Sequence, residues 1–396
     1  MADGGFSERF RLDVLSRVFP ADLVDFVVDE TGVREERIRS LPSWLVVYFT
    51  LAMWLFTGSG YDSVLRELVE NLPRCADGWL TANSGSITRA RARIGAAPLR
   101  LLFSYVAGPV GTAATPGVFW RGRRLASMDG TTLDVPNSAA NAAAYSRPNS
   151  GSGPRPYPQV RLLALVECGT RALIGAAFDS PAVGEGTLTC RLLHHLEAGM
   201  LVLADRDFPS YALWRRTVGT GADLLFRVDT SFALPMARVL PDGTYHSELR
   251  GSRKTERVTV RVIEYTITTS GAEDGQSANS ELFRLVTTLL DPQTAPAHEL
   301  AELYSRRWTS KTIYRAIKIE QRGGRTATLR SNSPETVAQE LWSMLCVYQA
   351  VRHLIPHTAT ETGAAPERVI LKHAVDALRR TAGSGSPSSP PGREDR

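Results

Sequence analysis

The spacing of apolar positions divides the chain into helical, strand-like and mixed stretches. Up to about residue 110 the pattern is helical. Pro20-Ala-Asp opens a helix that runs toward Glu30. Pro42-Ser43 opens a second, and Tyr61 to Asn71 places Val64, Leu65, Leu68 and Val69 on one side. Trp44 to Phe56 (WLVVYFTLAMWLF) is apolar all round. At 13 residues it is well short of the roughly 20 that span a bilayer, so a buried helix is expected. In SGSITRARARIGAAPLRLLF, Ser86 is expected to cap a helix that carries Arg89 and Arg93 four apart on one face. Gly95 and Pro98 end it, and Leu99 to Val106 begins another.

From Arg123 the pattern becomes strand-like. Leu125 to Pro136 (LASMDGTTLDVP) reads as a buried strand that ends in an exposed acid, Asp129, with Gly130 free to turn sharply or to meet a ligand closely. Asn137 to Pro158, rich in Ala, Asn, Ser, Gly and Pro, reads as a long exposed loop. Gln159 to Glu167 and Ala172 to Asp179 form a hairpin around Cys168 to Arg171. Glu185 to Glu197 is a helix. Its His194 and His195 read as surface or interface residues, because no other His or Cys stands at ligand spacing. Met200 to Ala204 (MLVLA) is apolar throughout, as a central parallel strand is. It delivers Asp205, then Arg206, Asp207 and Phe208. Pro209 to Thr217 is the next helix and Asp223 to Val228 the next strand. Residues 229–290 alternate again, with glycine punctuation, and read as a β-rich insertion. Ala297 to Gln321 is the strongest helical stretch, closed by Gly323-Gly324. Pro334-Glu335 opens a helix with an apolar stripe of Leu341, Met344, Leu345, Tyr348 and Val351. The final GSGSPSSPPGREDR is disordered by composition.

Composition narrows the class without fixing it. A chain of 396 residues has room for two or three substructures. The formal net charge is +5, and only four of the 46 basic residues are lysines. Arginine forks suit phosphate, so nucleic-acid binding is permitted but not established. Four scattered cysteines with no CxxC argue against structural zinc and for free thiols in a reducing cytoplasm. MADGGFSERF does not read as a signal peptide.

Asp129 and Asp205 carry the candidate chemistry. Three strands, a helix and a central strand lead from one to the other. This order matches a ribonuclease-H-like core, in which the first and fourth strands lie side by side. Two neighbouring acids can bridge two Mg²⁺ ions about 3.5–4 Å apart and drive phosphodiester cleavage or transfer. Two unrelated strand-end acids remain the alternative. On the later helix, Tyr304, Arg307, Lys311 and Lys318 share one narrow face at about 100° per residue. Such a face suits a phosphate backbone and an unstacked base, or is a solvated basic stripe. Arg89 and Arg93 are open to the same pair of readings, a helix-turn-helix against DNA or a solvated helix.

These stretches together resemble the DDE transposases of bacterial insertion sequences, in the insertion-element-four branch. The family signature on the last catalytic helix is Tyr, two residues, Arg, three residues, Glu, six residues, Lys. Tyr304, Arg307 and Lys318 match it. SITRARARIG, MDGTTLDVP, LADRDF and the QRGG after the helix also resemble the branch, over roughly residues 10 to 380. The resemblance implies an α/β fold: a ribonuclease-H-like catalytic core with a β-rich insertion, preceded by an all-helical N-terminal domain. The expected boundaries are 1–115 for the helical domain, 116–228 and 291–380 for the core, 229–290 for the insertion and 381–396 for the tail. It further implies Mg²⁺ or Mn²⁺ on Asp129 and Asp205. Tyr304, Arg307, Lys318, Arg89 and Arg93 would contact DNA. The partners would be double-stranded DNA, as terminal inverted repeats and target, and a second copy of the chain on paired ends, in the nucleoid and without a membrane.

One position departs from the signature. The third acid should stand at 311, where this chain has Lys311. An ammonium repels Mg²⁺ where a carboxylate would hold it. Glu302 and Glu320 are about 180° around the helix from that position. Asp207 shares the Asp205 strand but would approach from the wrong side of the pocket. Lys311 is therefore expected among Asp129 and Asp205, in the space of a metal ion, relieving their mutual repulsion. Two rival readings follow. One is a degenerate transposase that binds element ends without cutting. The other is a metal-independent α/β enzyme with a coincidental match, for which no glycine-rich phosphate loop, nucleophile elbow or redox pair is visible.

Overall fold

The computed structural model describes residues 15–362, except 38, 57, 73, 76–81, 151–152, 206–209, 230–231, 254, 270–278 and 307–327. They fall into two compact units. The first takes in the chain up to Val106 and from Ala338 onward, and the second runs from Ala107 and includes the stretch up to Val337. The C-terminal tail lies outside the described residues. No helix among the described residues is long and apolar enough to cross a membrane.

Among the described residues up to Val106, the first unit includes the helices α1 (Ala21–Glu30), α2 (Ser43–Ala52), α3 (Tyr61–Asn71), α4 (Ser84–Ile94) and α5 (Ala97–Val106). All ten residues of α2 are buried, as its unbroken apolar run requires. Helix α4 starts two residues before the expected cap. Asn83 takes that role, its side chain accepting the Ser86 amide at 2.9 Å.

The second unit is built on a ten-stranded sheet. Its first half comprises β1 (Phe119–Trp120), β2 (Arg123–Asp134), β5 (Gln159–Glu167), β6 (Leu173–Asp179), β7 (Met200–Ala204) and β8 (Asp223–Val228). Between β2 and β5 the chain makes α6 (Ala139–Ala144) and a two-stranded ribbon, β3 (Asn149–Ser150) with β4 (Gly153–Pro154). Helix α7 (Glu185–Leu192) precedes β7, and α8 (Tyr211–Val218) precedes β8. The second half comprises β9 (Arg238–Val239), β10 (Tyr245–Arg250), β11 (Arg257–Thr269) and β12 (Asn279–Thr287), followed by α9 (Ala297–Arg306) and α10 (Pro334–Thr362). The strand order is β6-β5-β2-β7-β8-β12-β11-β10-β9, with β1 beside β2. Strands β2, β7 and β8 are parallel; β5, β6 and β12 run against their neighbours. The strands of the 229–290 stretch continue this same sheet.

Side-chain alternation splits the core in two. On one face Ala126, Met128, Val202, Ala204, Leu224 and Phe226 meet Leu188 and Leu192 of α7 and Trp214 of α8. On the other, Leu125, Leu201, Leu203, Leu225 and Leu285 meet Leu300, Leu303 and Tyr304 of α9. Two expectations are corrected here. Residues 137–158 are not a bare loop: Ser138 caps α6, and the buried Asn141 donates to the Pro136 and Ser331 carbonyls, both at 3.0 Å. Strand β2 does not end at Asp129. It pairs with β5 through Asp134 opposite Gln159, so Gly130 lies mid-strand.

Candidate active site

Parallel pairing of β2 with β7 runs from Arg124 opposite Met200 to Met128 opposite Ala204. The next residue on each chain is an acid, Asp129 and Asp205. Neighbouring strands lie about 4.8 Å apart, so the two carboxyl-bearing residues are immediate neighbours. By alternation they share the face of Leu125, Leu201 and Leu203, the one that α9 covers. Both are partly buried. The Gly130 amide donates to Asp129 Oδ1 at 3.0 Å. On the opposite face, a Cβ at Gly130 would stand 3.2 Å from Glu185 Oε1. Gly130 therefore serves a close approach rather than a turn, and Glu185 lies on the wrong face to join the acids.

Tyr304 completes the described part of the site. It is 1% exposed, and its hydroxyl donates to Asp205 Oδ1 at 3.4 Å. Helix α9 is held in place at its first turn. The backbone reverses between β1 and β2 at Arg121 and Gly122, with φ of 46° and 77°. The Trp120 indole and the Arg121 guanidinium both donate to Glu299, at 2.8 Å for Trp120 and 2.6 Å for the shorter Arg121 contact. These donors, Arg121 first, lower the Glu299 carboxyl to about 2. Nothing in the sequence marked Trp120, Arg121 or Glu299. Only the fold reveals that a hairpin turn grips the helix that reaches Asp205.

The remaining candidates separate. Arg307, Lys311, Lys318 and Asp207 lie outside the described residues, as do Glu320 and the expected ammonium–carboxylate contact of Lys311. Arg89 and Arg93 belong to the first unit. Arg89 is exposed and donates to Ser86 Oγ at 3.0 Å. Arg93 donates to the Leu41 carbonyl at 2.6 Å, and burial lowers its guanidinium below the ordinary arginine range. Between them Arg91 is buried, donating to Gln339 Oε1 at 2.8 Å and Tyr61 Oη at 2.6 Å. Among the described residues no three His, Cys, Asp or Glu side chains gather as a metal site.

Residues 9–104 match the family described as insertion element 4 transposase N-terminal, and residues 120–349 match the transposase DDE domain. The chain belongs to the DDE transposases. Within them it belongs to the insertion-element-4 family, and it is a DNA transposase, of a class that cleaves DNA and transfers strands. Transposase InsG for insertion sequence element IS4 of Escherichia coli (strain K12) is 28% identical over 358 residues, 88% of this chain and 77% of the relative. Putative transposase InsZ of the same organism is 26% identical over 178 residues, 44% of this chain and 56% of the relative. The cryo-EM structure of a piggyBac transposase synaptic complex with hairpin DNA aligns with a TM-score of 0.46 and 12% identity, over 96% of this chain and 82% of that one.

Proposed function

We propose that β6-β5-β2-β7-β8 is a ribonuclease-H-like core in which Asp129 and Asp205 hold Mg²⁺ or Mn²⁺ for phosphodiester cleavage and strand transfer at an element's ends. The observation that carries this reading is the adjacency of the two acids on one sheet face, one residue past the end of the β2–β7 pairing. The donor set fits. Enzymes of this family use divalent metal ions, and Mg²⁺ commonly takes one or two protein carboxylates and completes its shell with phosphate oxygens and water. When bound, such an ion lowers the pKa of a coordinated water and offsets charge on the phosphate oxygens. The protein's own part is to aim the two carboxylates. The Gly130 amide orients Asp129, and the Tyr304 hydroxyl orients Asp205. Arg307, Lys318, Arg89 and Arg93 would hold DNA phosphates, with Tyr304 contributing through Asp205. The chain would act as a homodimer on paired terminal repeats, within the nucleoid.

Lys311 favours a second reading, a transposase that binds ends without cutting. Its ammonium would sit between the acids and take the place of the ion. Nicking of DNA that carries the element's own ends separates the two, with Mg²⁺ or Mn²⁺ supplied. If only Lys311→Glu cuts, the natural chain is a binder with one substituted acid. If the natural chain cuts and Asp129→Asn abolishes cutting, two acids suffice and the Lys311 reading falls. No cutting by either form, with no binding of ends, would sink both.

A further inference from the structure

The sheet face away from the acids carries a second charged feature. An open cleft of about 510 Å³ lies between α8 and the bend that joins β10 to β11, lined by Tyr211, Arg215, Arg216, Arg250, Ser252 and Glu256. Its walls come close together at Gly251. A Cβ there would fall 2.6 Å from the Tyr211 ring and 2.3 Å from Glu256 Oε2, so only glycine admits this approach. The bend is closed by the Gly251 amide donating to the Glu256 carbonyl at 2.8 Å, and by the Arg253 amide donating to Glu256 Oε2 at 3.1 Å. The cleft is thus a built shape, not a gap beside a loose hairpin.

Its chemistry is one-sided. Arg215, Arg216 and Arg250 are exposed and line it, with one carboxylate, Glu256. The Arg215 guanidinium lies 5.9 Å from the Tyr211 ring centre, which restricts its orientation. Arg216 spends one nitrogen on Cys190 Sγ at 3.1 Å and keeps further donors. Arg250 and Arg257 both pair with Glu248, at 3.6 and 3.5 Å. Exposed pairs of that length hold little energy and yield to a better anion. Guanidinium forks along an open cleft match successive phosphates.

We propose that this cleft grips the phosphate backbone of duplex DNA away from the bond being cut. The proposal rests on the transposase reading. It adds a contact surface that the acids, the α9 face and the arginines of α4 do not include. Trp214 and Leu213 of α8 pack on the sheet face opposite the acids, so DNA in this cleft is not at the scissile phosphate. Phosphate contacts carry no base information, so the grip is independent of sequence.

The test measures binding of the full chain to two duplexes of equal length, one with the element's end and one unrelated, across a range of salt. Combining Arg215→Ala, Arg216→Ala and Arg250→Ala should weaken both by a similar factor, on the order of ten- to a hundredfold at low salt. The slope of log K against log salt should become less steep by about 3. Glu256→Gln keeps the acceptor that closes the bend and removes the repulsion, so it should tighten binding to both duplexes. A merely structural role would not give opposite signs for the two variants. Unchanged affinity and slope in the triple variant, with a wild type that binds, overturns the cleft alone. A triple variant that binds DNA normally but loses affinity for polyglutamate assigns the cleft to an acidic peptide and also overturns it. A wild type that binds neither duplex overturns the transposase reading beneath.

Discussion

Tyr304 bears on the chemistry through where its hydroxyl points. A ring that is 1% exposed offers no face to an unstacked base, whereas its oxygen reaches Asp205 Oδ1. At 3.4 Å that contact is longer than the usual hydroxyl–oxygen bond of about 2.7–2.8 Å, so its worth to stability is small, about 1 kcal/mol or less. Tyr304→Phe keeps the ring and removes the oxygen. It should leave the unfolding midpoint almost unchanged while weakening Mn²⁺ binding to the full chain by up to about fivefold. Water-proton relaxation reads that binding without any need for turnover, and the comparison is made in a Lys311→Glu background, where no ammonium competes for the place of the ion. Unaltered Mn²⁺ affinity would remove Tyr304 from the positioning of Asp205. At this scale the sequence was informative where apolar runs break into an acid, which is how Asp129 and Asp205 stand out. For Gly130 it left a sharp turn and a close approach both open. A glycine in a turn and a glycine under a neighbouring carboxylate look the same until Glu185 is brought over the strand by the fold.

Among the elements, those with strong periodicity were legible and those fixed by distant partners were not. The apolar runs of α2 and β7 lie where the sequence puts them, because each is buried on all sides. Helix α6 was hidden in an Ala-rich, polar stretch, since what orders it is a buried asparagine that bonds carbonyls 5 and 190 positions away. The one-turn 3₁₀ helix Leu193–His195 is another such case. Its histidines were expected at a surface or interface; His194 is exposed, while the His195 ring packs over Gly175 of β6, its centre 4.0 Å from that of His194. Burial, with His194 adding to it, pulls His195 down from 6.5 to about 4. The folded chain therefore keeps this ring neutral over a range where the unfolded chain protonates it. Its contribution to stability is complete above pH 6.5 and is lost as the pH falls toward 4. The urea midpoint should drop between pH 7 and pH 5 by more in the wild type than in His195→Gln, which has nothing to titrate. Equal drops in the two proteins would show that His195 is not held neutral.

For the whole molecule, the decisive feature is that the first unit is assembled from both ends of the chain. The apolar stripe of Leu341, Met344, Leu345, Tyr348 and Val351 is buried, as its spacing predicts. A stripe tells which face is covered but not by what, and the expected boundaries of 291–380 assigned this segment to the catalytic core. From Ala338 onward it instead packs with α1 to α5. The polar partners show why. Gln339 accepts from the buried Arg91 at 2.8 Å and donates to the Arg91 and Gly95 carbonyls at 3.0 and 2.7 Å, while the Trp54 indole donates to the Glu340 carbonyl at 3.0 Å. Arg91 and Gln339 are 3% and 0% exposed, so neither can turn to water if the other is lost. A buried guanidinium that loses an acceptor carries the full cost of its desolvation, about 1–3 kcal/mol. Gln339→Ala should therefore destabilise the helical unit by roughly 2 kcal/mol, read as a lower denaturant midpoint of helical circular dichroism with the slope unchanged. Pairing it with Arg91→Met, which removes the cation but keeps an apolar stem, should recover part of that loss, because no buried charge is then left without its partner. If Gln339→Ala costs less than about 0.5 kcal/mol, the two ends are joined by apolar packing alone.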